Sequence, residues 1–216
     1  MSSSPFRPDS PLLRAIGRVG DLALANILFL LCSIPIVTLG ASAAALNTIA
    51  FQMARGEESR IARMFFRAFR KNLLQGILLT LLFLALGAGL YLDLRVSQAN
   101  PGAVPFVLRV GAGLLAFSGA ITLPYVFVLQ AKFENTTGKT LKNAFLLAVT
   151  HPLTSLICAP ITLAPALLLL FATYYLLLSS IFWFLFGFSL IALANAYLIG
   201  RVLRPALPES APRGDE

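Results

Sequence analysis

Charge is scarce in this chain: 12% of its 216 residues are Asp, Glu, Lys or Arg, and only 9 of these are acidic. No carboxylate sits deep within an apolar run, so a proton-coupled path through a membrane has no acid to use. There is one histidine, His151, and there are two cysteines, Cys32 and Cys158. A His/Cys metal centre needs several ligands at close spacing, and neither this nor a disulfide framework can be assembled from them. Gly-rich phosphate loops, GxSxG elbows and paired carboxylates are missing as well. The expectation is a non-enzymatic protein that uses no cofactor and no metal.

Hydrocarbon fills the space that charge leaves. Apolar residues make up 58% of the chain, and the mean hydropathy is +0.83. They fall in runs at Leu73 to Leu94, Val110 to Leu129, Leu153 to Leu178 and Ile181 to Ile199. About 20 helical residues suffice to cross a hydrocarbon layer of about 30 Å, so each run predicts a transmembrane helix. Leu22 to Phe51 is longer, about 45 Å as one helix at 1.5 Å per residue. It is interrupted by "SIPIVTLGAS", where Pro35 removes a backbone donor and Gly40 adds flexibility. A turn there splits it into two helices, the first from near Pro11 and the second from about Ile36 to Ala54. Gly40 and Ala44 lie in a small-residue stretch suited to close helix packing.

The net charge of +8 is carried between the runs: in the N-terminal tail, in Arg55 to Lys71, in Lys132 to Lys142 and near the C-terminus. Short cationic loops stay on the cytoplasmic side of a membrane. Six spans place all four basic segments on that side, whereas five put the N-terminal arginines outside. The predicted fold is therefore an all-α membrane bundle over residues 1–204, with about six transmembrane helices (five in the alternative), both termini cytoplasmic, and a disordered tail over 205–216.

Two cytoplasmic connections are predicted to form interfacial helices. In "RMFFRAFRKN", Arg60, Arg63, Arg67, Arg70 and Lys71 occupy one helical arc, and Phe65 and Phe69 fall on the broad apolar face. Glu57 and Glu58 sit in the first turn, where the helix dipole favours acids. The arrangement predicts contact with anionic headgroups or a partner protein. It disfavours nucleic acid, because the phenylalanines lie opposite the arginines. The stretch over 137 to 150 echoes the first, "LQAKFENTT" answering "FQMARGEES", which raises an internal repeat. Two further sets of residues are candidates. Asp93, Arg95 and Arg109 lie at the ends of spans near one outer loop. An Asp93 to Arg109 pair at an outer mouth and three separate snorkelling side chains are both compatible with their positions. Glu134 could pair with Lys132 or with an arginine of the first interfacial helix, and could equally be solvated.

"LCSIPIVTLGASAAAL", "RGEESRIARMFFRAFRKNLLQG" and "AKFENTTGKTLKNAFLLAV" together resemble the pattern of the YesL family, bacterial membrane proteins filed as a domain of unknown function. The likeness runs from about Gly17 to Arg204. It implies a multi-pass protein of the bacterial cytoplasmic membrane, without established catalysis and often encoded beside carbohydrate ABC importers. An accessory or scaffold subunit of such an importer, touching its permease subunits, is the function implied; a small solute channel or transporter is the alternative.

Overall fold

The structure is a computed structural model that describes residues 11–56, 60–99, 103–171 and 173–203. Glu57, Glu58 and the predicted tail over 205–216 lie outside these. Among the described residues the chain is helical from end to end. The helices are α1 (Pro11–Cys32), α2 (Leu39–Arg55), α3 (Ile61–Lys71), α4 (Leu73–Ala99), α5 (Ala103–Lys132), α6 (Thr137–Thr150), α7 (Pro152–Phe171), α8 (Thr173–Leu178), α9 (Ser180–Phe182) and α10 (Phe188–Leu203). A π-helical turn over Trp183–Gly187 joins α9 to α10. Five described stretches are long and apolar enough to cross a membrane: Ile36–Arg55, Leu73–Val96, Phe106–Lys132, Pro152–Leu169 and Ser180–Leu203. The helix α1, which carries Arg14, Arg18 and Asp21, is not one of them.

The break at Pro35 falls where the sequence predicts it. The Thr38 hydroxyl lies 2.6 Å from Cys32 O and 2.7 Å from Pro35 O, fastening a turn that ends in a short 3-10 segment over Ile36–Thr38. The helix α2 ends at Gly56, whose φ of 72° is the left-handed value that glycine adopts without steric cost. The stretch Tyr174 to Ser180, which connects the last two apolar runs, is mostly helix α8, with a turn at Ser179. "YYLLLSS" contains no Gly or Pro to stop a helix, and Ser179 Oγ bonds back to Tyr175 O at 2.6 Å.

Two helix triplets share one plan. In α2, α3 and α4, and again in α5, α6 and α7, each helix packs on the other two. A single residue forms the corner between the second and third members: Asn72 in one triplet, His151 in the other. Each corner carbonyl accepts the amide N–H four residues on, Gly76 N–H at 2.7 Å and Ser155 N–H at 3.1 Å. His151 is thus a corner residue, exposed, with Nδ1 3.0 Å from the Thr150 hydroxyl.

Burial is uneven. The core gathers α2 (Ala44, Ala45, Ile49), the second half of α5 (Tyr125, Val126, Val128), α3 through Phe65, and the last turns of α10 through Ile199 and Leu203. Most of α4 and the first half of α5 are uncovered, with Leu81, Leu84, Leu92, Leu94, Leu108 and Leu114 exposed. Apolar residues at that end face outward, as a lipid-exposed surface requires.

Candidate functional site

The end of the bundle at which α4 begins and α5 finishes carries the polar features. On α3, Ile61, Phe65 and Ala68 recur at helical spacing and are buried against the bundle, while Arg63, Arg67, Arg70 and Lys71 are exposed on the other side. Arg60, at the N-cap, is exposed too. Phe65 is 0% exposed, so it is a core residue and not the membrane-surface contact the sequence suggested. Phe69 is partly buried and stacks on Phe65 at 6.3 Å and 12°. The aromatic that does face outward is Phe66. Helical phase separates the apolar face from the cations, but whether protein or lipid covers that face depends on neighbours far along the chain.

The second correction concerns Glu134. Its partner is Lys71, Nζ to Oε1 2.5 Å, and not Lys132. Lys132, the last residue of α5, extends over the ring of Phe51 on α2, 4.3 Å from the centroid, which takes it away from the acid two residues later. The Lys71 ammonium holds the Glu134 carboxyl below its ordinary range, chiefly by hydrogen bonding and then by charge. An open cleft of about 540 Å³ lies beside this pair, lined by Asn72, Gln75, Phe133, Asn135 and Thr136. Sequence reasoning passed over the groups that build its walls. Gln75 Nε2 donates to Thr140 Oγ1 at 2.9 Å, joining α4 to α6. Gln130 Nε2 donates to Asn72 O at 3.3 Å, joining α5 to the α3–α4 corner. Gln130 is 2% exposed and its Oε1 has no hydrogen-bond partner among the described residues.

Asp93, Arg95 and Arg109 occupy the other end of α4 and α5. No ion pair joins Asp93 to Arg109 among the described residues; Arg109 is exposed, and Asp93 Oδ2 is buried without a partner. Arg95 bonds Tyr91 Oη of its own helix at 2.9 Å and lies over that ring. Tyr197 and Arg201 repeat the arrangement on α10. Such side chains carry a charge from an apolar helix toward a polar boundary.

Gly40 makes the closest helix contact. A Cβ there would stand 2.5 Å from Gly76 O, and one on Gly76 would strike the backbone of Ala41, so α2 and α4 touch backbone to backbone. The Gly40 N–H, one of the unpaired donors in the first turn of α2, donates to Thr80 Oγ1 at 2.9 Å. Ala44, one turn on, is fully buried. Asn26, in the apolar stretch of α1, holds a long-range contact. Its Nδ2 donates to Trp183 O at 3.0 Å and Phe184 O at 2.7 Å, and its Oδ1 accepts from the Ser189 N–H at 2.9 Å. One side-chain amide thereby bridges the backbone across the π turn, where widened i to i+5 geometry disturbs the ordinary helical ladder. Trp183 covers Gly187 so closely that a Cβ there would collide with the indole.

These features define a helical membrane protein with a cationic, hydrogen-bonded end and an uncovered apolar end; no His, Cys, Asp or Glu cluster fit for a metal occurs among the described residues. Comparison with known proteins narrows the class. A family described as "Protein of unknown function, DUF624" matches residues 22–94, from within α1 to near the end of α4. The chain is also similar to "Uncharacterized protein YesL" of Bacillus subtilis (strain 168), 26% identical over 164 residues, which cover 76% of this chain and 77% of that protein. The two findings support the YesL-like family of unknown function to which the motifs pointed. No solved structure matches.

Proposed function

We propose that the chain is a non-enzymatic accessory or scaffold subunit of the bacterial cytoplasmic membrane. It is multi-pass with both termini cytoplasmic, and it associates with another membrane protein through its uncovered helices. The observation that carries this reading is on α4 and α5: Gly87, Gly89, Gly111 and Gly113 are exposed, with nothing within 4 Å of where a Cβ would stand. Small residues let helix backbones approach closely, and four of them uncovered on one hairpin fit a partner helix better than lipid alone. The first partner to try is a permease subunit of a carbohydrate ABC importer, which the family resemblance implies. Crosslinking in native membranes, followed by purification, should retain a permease with the wild-type chain and lose it with Gly87→Leu or Gly111→Leu. Retention of no membrane protein by the wild type would defeat the proposal.

One observation favours a second reading, a small solute channel. The buried, unpartnered Asp93 Oδ2 is a group that a passing polar solute could satisfy, with Arg109 near the same mouth. Solute flux in proteoliposomes that is unchanged by Asp93→Asn and Arg109→Ala would remove this site from consideration.

A further inference from the structure

The open cleft beside the Lys71 to Glu134 pair is lined by polar groups of two opposite kinds. Some are donors. The Lys71 ammonium is exposed, and the Thr136 hydroxyl, at the N-cap of α6, makes no cap bond. Thr140 N–H is bonded to Thr136 O at 2.9 Å, whereas the amides of Thr137, Gly138 and Lys139 are the unpaired donors of a helix start. No acid occupies that first turn. The other lining groups are acceptors. Asn72 is 6% exposed; its Nδ2 is taken by Ala68 O at 2.9 Å, and its Oδ1 accepts nothing among the described residues. The Nε2 of Gln75 is taken by Thr140, which leaves its Oε1 in the same state. The Glu134 carboxylate adds a negative charge. A nearly buried amide oxygen that faces a cleft without a donor is a hydrogen bond left for a ligand to complete.

A simple anion in this cleft would meet the acceptors as well as the donors, and a simple cation would meet Lys71 and the positive end of the α6 dipole. A ligand that carries both charges satisfies every group. Its apolar part is indicated by α4, where Leu74, next to Gln75, starts an exposed row with Leu78 and Leu81 at helical spacing. The stretches of α4 and α5 that meet at this end are long and apolar enough to cross a membrane, so the cleft lies at a polar boundary and the leucine row leads from it into hydrocarbon. We propose that the cleft holds the headgroup of a phospholipid of the phosphatidylethanolamine class. The phosphodiester accepts from Lys71, Thr136 and the first amides of α6, and the primary ammonium donates to Glu134, Asn72 Oδ1 and Gln75 Oε1. An ammonium has three N–H donors, one for each of these acceptors. One acyl chain lies along Leu74, Leu78 and Leu81. Lys71 and Glu134 each exchange their mutual contact for an opposite charge on the ligand, and an exposed ion pair contributes little on its own. The cleft of about 540 Å³ falls in the range of about 300–1,000 Å³ usual for small-molecule sites. Occupied, it straps the α3–α4 corner to the start of α6.

Binding of this kind needs only that α4 and α5 cross a bilayer; neither the scaffold role nor the orientation enters. The test is full-length protein in detergent, titrated with palmitoyl-oleoyl phosphatidylethanolamine, phosphatidylcholine or phosphatidylglycerol and read by native mass spectrometry. Phosphatidylcholine has the same charges and chains but no N–H on its ammonium. One phosphatidylethanolamine per chain should be retained about tenfold more tightly, the factor that one charge-assisted hydrogen bond carries. Glu134→Gln should remove most of that preference and leave phosphatidylcholine binding as it was, whereas Lys71→Met should weaken both lipids alike. Both side chains are exposed, so neither replacement opens a gap in the core. A merely structural role for the pair would not separate the two headgroups in this way. Equal retention of the two lipids by the wild type would overturn the proposal, as would tighter retention of phosphatidylglycerol or a preference unmoved by Glu134→Gln. Glycerophosphoethanolamine, the same headgroup without acyl chains, should compete only weakly, and Leu74→Ser/Leu78→Ser should loosen the lipid. Binding of the soluble compound as tight as that of the lipid would assign the cleft to a free phosphoester and overturn the lipid assignment.

Discussion

Replacing Asn26 by Ala removes three hydrogen bonds at once and leaves Trp183 O, Phe184 O and the Ser189 N–H without that partner. Interhelical polar contacts in a bilayer average about 0.6 kcal/mol, so three come to about 2 kcal/mol. Asn26 is fully buried and Ser189 is 2% exposed, so water cannot readily replace the lost acceptor. An unsatisfied buried N–H adds about 1–3 kcal/mol, which takes the cost toward about 4 kcal/mol. The chain has one escape. Expelling the extra residue of the π turn would restore the α-helical ladder, but at 3.6 residues per turn it rotates what precedes it by about 100°. Trp183 would then leave its seat over Gly187 and beside the Phe188 ring, 5.7 Å away. Trp183 is the chain's single tryptophan, so its emission reports this site alone. Asn26→Ala should lower thermal stability in nanodiscs and shift that emission. Asn26→Asp should be worse, since it keeps the acceptor for Ser189 but turns a charged oxygen toward two carbonyls. An alanine variant that melts and fluoresces like the wild type would refute the reasoning.

Three further outcomes are expected. Phe65→Ala should destabilise by about 3–5 kcal/mol, as for buried aromatics generally, while Phe66→Ala should change thermal stability little; a lipid anchor at Phe65 would reverse the order. Gly76→Val should cost at least about 1–3 kcal/mol through overpacking, because its neighbour is the backbone of Ala41 and cannot swing aside; a melting temperature equal to that of the wild type would disprove the close contact. The Glu134 carboxyl is held down by Lys71, so the contribution of the pair is complete above the ordinary carboxylate range and is lost as pH falls through the lowered folded value. Spin labels on α3 and α6 should report a fixed distance at neutral pH that broadens in acid, and Lys71→Met should give the broad distribution at neutral pH as well.

Local grammar made much of the fold legible. Pro35 marked the α1–α2 break, and the spacing of Arg63, Arg67 and Arg70 gave the exposed face of α3. Phe65 was misassigned because an apolar helical face looks the same whether lipid or protein covers it. Lys132 was misassigned because proximity in sequence says nothing about the pull of a distant ring at Phe51. The π turn left no local signal: its bridging amide is supplied by Asn26, 157 residues earlier in the chain.

The Asn26 clamp also has a consequence in time. Its amide waits for a backbone carbonyl 157 residues later in the chain, and at a synthesis rate of about 5–20 residues per second that segment emerges about 8–30 s afterwards. Until then α1 has no acceptor at Trp183 or Phe184, and a truncated or stalled chain presents a polar amide on a greasy helix. Final seating of the first helix is therefore a late event of biogenesis, and the nascent chain carries, for those seconds, a handle that membrane quality control can read as unfinished.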